Sequence, residues 1–120
     1  MIAISQPTYL PWLGYFALID SCQEFVFLDD VQFDRRSWQQ RNRILLNEKV
    51  NYLTLPIKKK GLRLQLINET IIDNKYMLKK HHIKIKHAYR KSKYFNDYFD
   101  FFEELLEASS NKSSLSEINI

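Results

Sequence analysis

Two prolines, Pro7 and Pro11, bracket a hexapeptide at residues 6–11 that cannot be helical, because each ring removes a backbone donor and restricts the residue before it. Ile2-Ala3-Ile4-Ser5 before it reads as a short buried strand, and Pro11 is suited to begin a helix. Leu13, Phe16, Ala17 and Ile19 then recur at helical spacing over residues 12–22, with Gly14 allowing a close approach at the first turn. Glu24-Phe25-Val26-Phe27-Leu28 reads as a second strand that ends on Asp29-Asp30. Strand, loop, helix and strand in this order predict a βαβ unit with parallel strands and a right-handed crossover. Ligands of such units sit at the carboxyl ends of the strands, so residues 6–11 and 29–32 are expected to meet in one pocket.

Past Arg41 the pattern changes. Residues 42–46 and 51–57 predict an antiparallel hairpin turning at Asn47-Glu48-Lys49. After the charged turn Lys58-Lys59-Lys60-Gly61, residues 64–67 and 69–72 read as two further short strands. Asp73 is placed to cap a helix of about four turns whose stripe is Tyr76, Met77, Leu78, His81, Ile85, Ala88 and Tyr89. A second helix over residues 97–108 carries Tyr98, Phe99, Phe101, Phe102, Leu105 and Leu106, with acids in its first turns, and Leu115, Ile118 and Ile120 begin another amphipathic element. The expected fold is α/β: an N-terminal βαβ unit with parallel strands, a β-hairpin region and two or more C-terminal helices, compatible with a nucleotidylyltransferase-like or Rossmann-like three-layer arrangement.

Composition narrows the function classes. Among the 120 residues are 7 Tyr, 8 Phe and 2 Trp, enough apolar area to order one domain and to exclude general disorder. No stretch approaches the roughly 20 apolar residues of a membrane span. The opening Met1-Ile2-Ala3-Ile4-Ser5 lacks the basic and apolar regions of a leader, which predicts a cytoplasmic protein. The single Cys22 has no partner for a disulfide or a thiolate metal site and is expected as a small buried residue on a helix. The net charge of +4 is uneven: residues 75–93 hold all 3 His and many Lys and Arg without an acid, and residues 97–107 hold acids alone. Two solvated helix faces or an anionic ligand account for this, and nucleic acid is not the expected partner.

Three clusters could carry chemistry. In residues 6–16 the prolines fix the loop, and Gly14 with the free N–H groups of the helix start makes an anion site; packing of an aromatic cluster on the sheet is the competing reading. In residues 29–43, strand-end carboxylates can hold Mg²⁺ or ribose hydroxyls, and arginine forks match phosphate. The competing reading there is an ion-pair network of Asp29, Asp30 and Asp34 with Arg35, Arg36, Arg41 and Arg43. His81, His82 and His87 lack the i, i+4 spacing of a zinc helix, but a helix-borne His81 can act as a general base, against the alternative of a structural histidine. No G-x-S-x-G elbow, Walker loop or dinucleotide glycine fingerprint is present.

In order, Ile4-Ser5-Gln6-Pro7-Thr8-Tyr9-Leu10-Pro11-Trp12-Leu13-Gly14-Tyr15-Phe16, Asp29-Asp30-Val31-Gln32-Phe33, Trp38-Gln39-Gln40-Arg41-Asn42-Arg43-Ile44 and Leu53-Thr54-Leu55-Pro56-Ile57, with His81, Tyr89 and Tyr94-Phe95, resemble the WbqC-like family. The resemblance implies a place in bacterial surface-polysaccharide synthesis, of O-antigen and lipopolysaccharide, and a longer domain of which these residues are the N-terminal part. A transferase modifying a nucleotide-linked sugar, in particular a nucleotide-activated amino sugar, is the leading expectation. A non-catalytic module that binds a sugar nucleotide or a pathway enzyme is the alternative. On this reading Gln6, Tyr9, Trp12, Gly14, Tyr15, Gln32, Trp38, Arg41, Asn42 and Arg43 contact the substrate. Asp29 and Asp30 hold Mg²⁺ or hydroxyls, and Asp30 and His81 are catalytic, His81 as the base. A homo-oligomer is compatible with it. The family pattern Trp-x-Asn-Arg-Asn becomes Trp38-Gln39-Gln40-Arg41-Asn42 here, so Gln40 keeps the amide on a longer stem. A coarser likeness, to nucleotidylyltransferases, sets Trp12-Leu13-Gly14-Tyr15 where those enzymes have His-x-Gly-His, with neither histidine.

Overall fold

A computed structural model describes residues 1–120. The first strand, β1 (Ile2–Ser5), leads through the proline loop to helix α1 (Leu13–Ser21) and strand β2 (Glu24–Phe27). β1 and β2 pair in parallel, Ile2 opposite Glu24 and Ser5 opposite Phe27, which closes the predicted βαβ unit. Trp12 is still extended, so the helix starts only at Leu13, and Tyr15 sets its ring edge-on to Phe25 at 5.6 Å. This sheet stops at two strands, so no three-layer arrangement forms within these residues. The expectation that β1 is buried also fails: Ile2 and Ile4 share one face and are each 62% exposed, since nothing packs on it. Cys22 follows α1 rather than lying on it, half-buried, with its thiol donating to the Ile19 carbonyl at 3.2 Å.

Strands β3 (Arg41–Leu46) and β4 (Lys49–Thr54) form the antiparallel hairpin. Its turn is Asn47-Glu48, with φ of 50° and 61°. Two consecutive positive φ values give the primed turn whose twist matches that of the flanking strands. Lys49, expected in the turn, therefore opens β4. The ladder ends at Thr54 because Pro56 has no donor to continue it, and Ile57 instead makes an isolated bridge to Ile72.

Residues 64–72 are not the expected pair of strands. Their backbone groups bond to three separate segments: Gln65 accepts from Phe33 while Ile67 donates to Val31, Ile71 accepts from Lys58, and Thr70 accepts from Leu115 while Ile72 donates to Ser113. A single 3-10 turn, Ile67–Glu69, lies in the middle. Each of the three segments is met by one isolated bridge, Gln32 to Leu66, Ile57 to Ile72 and Ser114 to Ile71, so this stretch acts as a connector and no ladder propagates.

Helix α2 (Tyr76–Tyr89) buries Leu78, His81 and Ile85 from the predicted stripe and leaves Tyr76 exposed. The capping role expected of Asp73 falls to Asn74, whose Oδ1 accepts the Tyr76 N–H at 3.0 Å. Helix α3 (Phe95–Ser110) begins two residues early, where Phe95 stacks on Phe99 at 4.3 Å, and helix α4 (Leu115–Asn119) follows. His82 Nε2 meets Glu103 Oε1 at 2.8 Å between α2 and α3. No helix is long and apolar enough to cross a membrane.

The core lies under the hairpin. Ile44, Leu53 and Leu55 pack with Ile67 and Ile72 of the connector, Leu78 and Ile85 of α2, Phe99 and Leu106 of α3, and Leu115 of α4. Leu53, Leu55, Ile67 and Leu115 have no exposed surface, and each such side chain contributes about 1.5–3 kcal/mol. From the first 30 residues only Tyr9, in the proline loop, joins this cluster.

Candidate functional site

The proline loop is tied to the segment entering the hairpin. The Tyr9 N–H donates to the Trp38 carbonyl at 2.8 Å. Asn42 Nδ2 donates to the carbonyls of both Tyr9 and Leu10, at 3.2 and 2.6 Å. Leu10 is left-handed, φ 48°, a conformation that costs a residue with a Cβ about 1–2 kcal/mol, and the Asn42 bonds hold it there. Buried Gln39 donates to Gln6 Oε1 at 2.6 Å and accepts the Asp34 N–H at 3.0 Å, while Asn119 donates to its carbonyl at 2.7 Å.

Between these segments opens a cleft of about 310 Å³ lined by Thr8, Pro11, Trp12, Trp38, Asn42 and Arg43. Trp12 and Trp38 are 73% and 48% exposed, and the Arg43 guanidinium lies over the Trp38 ring at 5.7 Å. Thr8 Oγ1 is buried without a hydrogen-bond partner. Two exposed indoles and one cation suit a planar or ring-shaped ligand that carries an anionic group.

Four residues read from the sequence as substrate contacts, Trp12, Trp38, Asn42 and Arg43, thus line one cleft. The others lie elsewhere. The open approach expected at Gly14 is taken by the chain itself: a Cβ there would collide with the Trp12 indole, which folds back across the helix start. The Tyr15 hydroxyl donates to the Gln6 carbonyl at 2.9 Å, and burial raises its pKa against an opposing Ser5 hydrogen bond. Gln6 accepts from Gln39, Gln32 is exposed with its backbone bridged to Leu66, and Arg41 lies over the Tyr52 ring at 4.7 Å.

Tyr9 and His81 form a sealed pair. Their side chains are 2% and 1% exposed, with Tyr9 Oη and His81 Nδ1 2.7 Å apart. Burial pushes the Tyr9 hydroxyl well above its ordinary pKa. It lowers His81 to about 4, helped by the Lys84 charge and opposed by a hydrogen bond to the Thr54 backbone. A neutral imidazole therefore accepts the tyrosine proton, and that nitrogen is occupied.

Asp29 Oδ2 accepts the Ser116 hydroxyl at 2.6 Å, Asp30 is exposed, and neither lines the cleft. No group of three His, Cys, Asp or Glu side chains that could hold a metal gathers in the chain. The expected ion-pair network is absent as well: the one ion-pair contact is His82 with Glu103. Sequence reasoning missed Thr8, Gln39, Ser116 and Asn119. Only Gln39 carried a signal, as one of two adjacent neutral amides inside a charged run.

A model of the WbqC-like protein family matches residues 6–120. The chain is also 36% identical over 115 residues to "Uncharacterized protein Rv1507c" of Mycobacterium tuberculosis (strain ATCC 25618 / H37Rv). That match covers 95% of this chain and 50% of the relative, so the chain spans about half the length of the curated relative it matches. No solved structure matches it.

Proposed function

The chain belongs to the WbqC-like protein family, and from that membership we propose that its aromatic cleft binds a nucleotide-linked sugar in bacterial surface-polysaccharide synthesis, as part of a transferase acting on that sugar. The observation that carries this reading is the pair of exposed indoles flanking Arg43. An indole face stacks on a nucleobase or on the C–H face of a sugar ring, and a guanidinium binds phosphate oxygens through two parallel hydrogen bonds. A second reading is binding without turnover, and the burial of His81 beneath Tyr9 favours it, because the cleft then lacks a base.

Isothermal titration against a panel of nucleotide sugars tests the proposal. One of them binds the native chain, and Trp38→Ala or Arg43→Gln weakens that binding about tenfold or more at unchanged melting temperature. Absence of binding by every nucleotide sugar removes the reading. Product formation, followed by NMR, separates the transferase from the binding module.

A further inference from the structure

A second cavity, of about 500 Å³, shares no lining residue with the aromatic cleft, and its charged side chains are Arg35, Arg36, Lys59 and Asp73. None of the three cations is within ion-pair distance of a carboxylate, since His82 with Glu103 is the one such contact in the chain. Arg36 is held in the left-handed region at φ 60°, where a long side chain rarely sits. Its N–H donates to Gln40 Oε1 at 3.0 Å, and Gln40, 8% exposed, donates in turn to the Leu55 carbonyl at 3.1 Å. Arg35 is drawn toward Lys59 by a long hydrogen bond, 3.5 Å, from its guanidinium to the Lys59 carbonyl. A buried amide and a strained backbone thus gather charges that repel one another. Backbone strain of this kind persists where surrounding structure enforces it.

We propose that this basin is a diphosphate-binding site, independent of the aromatic cleft. Three cations against one carboxylate leave an excess of positive charge suited to an anion of two or three negative charges. Two arginine forks match phosphate oxygens in pairs, and the volume exceeds what one phosphate fills. Asp73 sets a limit on that charge and opposes an anion at its own rim.

Titration calorimetry of the full chain with inorganic pyrophosphate tests this. One equivalent binds, and affinity falls as salt rises. Arg36→Gln and Lys59→Gln each weaken binding about tenfold or more, and Asp73→Asn tightens it about threefold. Arg36→Gly gives the same loss while relieving the strained backbone, so unfolding cannot explain it. Arg43→Gln leaves pyrophosphate affinity unchanged. Uridine diphosphate separates the sources: equal affinity for both probes supports diphosphate itself as the ligand, whereas binding of uridine diphosphate alone supports a nucleotide in this basin if Arg36→Gln removes it and overturns the proposal if only Arg43→Gln does. Binding of neither overturns the proposal, as does unchanged affinity in Arg36→Gln and Lys59→Gln, or a loss confined to Arg43→Gln.

Discussion

His81 is held neutral by burial at a pKa of about 4, whereas in the unfolded chain it titrates near the ordinary imidazole value of 6.5. Above pH 6.5 neither state takes the proton and the native state keeps its full stability. As pH falls toward 4 the unfolded chain binds a proton that the native chain refuses, so stability declines by on the order of 2–3 kcal/mol and then levels off. Urea unfolding across this range shows that slope in the native chain, and His81→Gln flattens it. Gly14 gives a different signature, in which stability and binding diverge. Alanine is the better helix former by up to about 1 kcal/mol, yet its Cβ displaces the Trp12 indole. Gly14→Ala is expected to keep the melting temperature while shifting tryptophan fluorescence and weakening nucleotide-sugar binding. The sequence marked both residues as chemically interesting, but their partners lay out of sight. Tyr9 and His81 are 72 positions apart, and no local periodicity connects them. Trp12 was read as facing a ligand, and its second contact is with its own helix start.

At the scale of elements, the hairpin turn holds a correctable strain. Asn47 and Glu48 both have positive φ, and only the asparagine tolerates it well. Glu48→Gly removes about 1–2 kcal/mol of left-handed strain and adds about 0.5–1 kcal/mol of chain entropy in the unfolded state, for a net gain of roughly 0.5 kcal/mol. Thermal unfolding reads this as a rise of a few degrees. The helices and the hairpin were legible because each states its period locally: Leu78, His81 and Ile85 for α2, and Phe99 and Phe102 with Leu106 for α3. The connector at residues 64–72 was not legible. Its apolar residues suit a strand, and what prevents one is the scatter of its hydrogen-bond partners through the rest of the chain.

Across the whole molecule, stability is unevenly shared. The βαβ unit has a two-stranded parallel sheet and exposes Ile2, Ile4, Leu13 and Phe16, whereas the hairpin, connector and helices enclose the core. A two-stranded parallel sheet with an uncovered apolar face has little local stability. Native-state hydrogen exchange is therefore expected to release the amides of β1 and β2 well before those of β3, β4 and α2, and equal protection of both groups contradicts this. The order of elements could be read from the chain, but the location of the core could not: an alternating strand looks buried until its neighbours are counted. The site was half legible for the same reason: Trp12, Trp38, Asn42 and Arg43 line one cleft, whereas Gln6 and Tyr15 spend their polar groups on hydrogen bonds within the chain. Asn42 belongs to the well-anchored part, and its carboxamide grips the proline loop from there. The lip of the cleft is thus moored to the hairpin more firmly than to the strand from which it emerges, and the cleft outlasts the fraying of its own sheet.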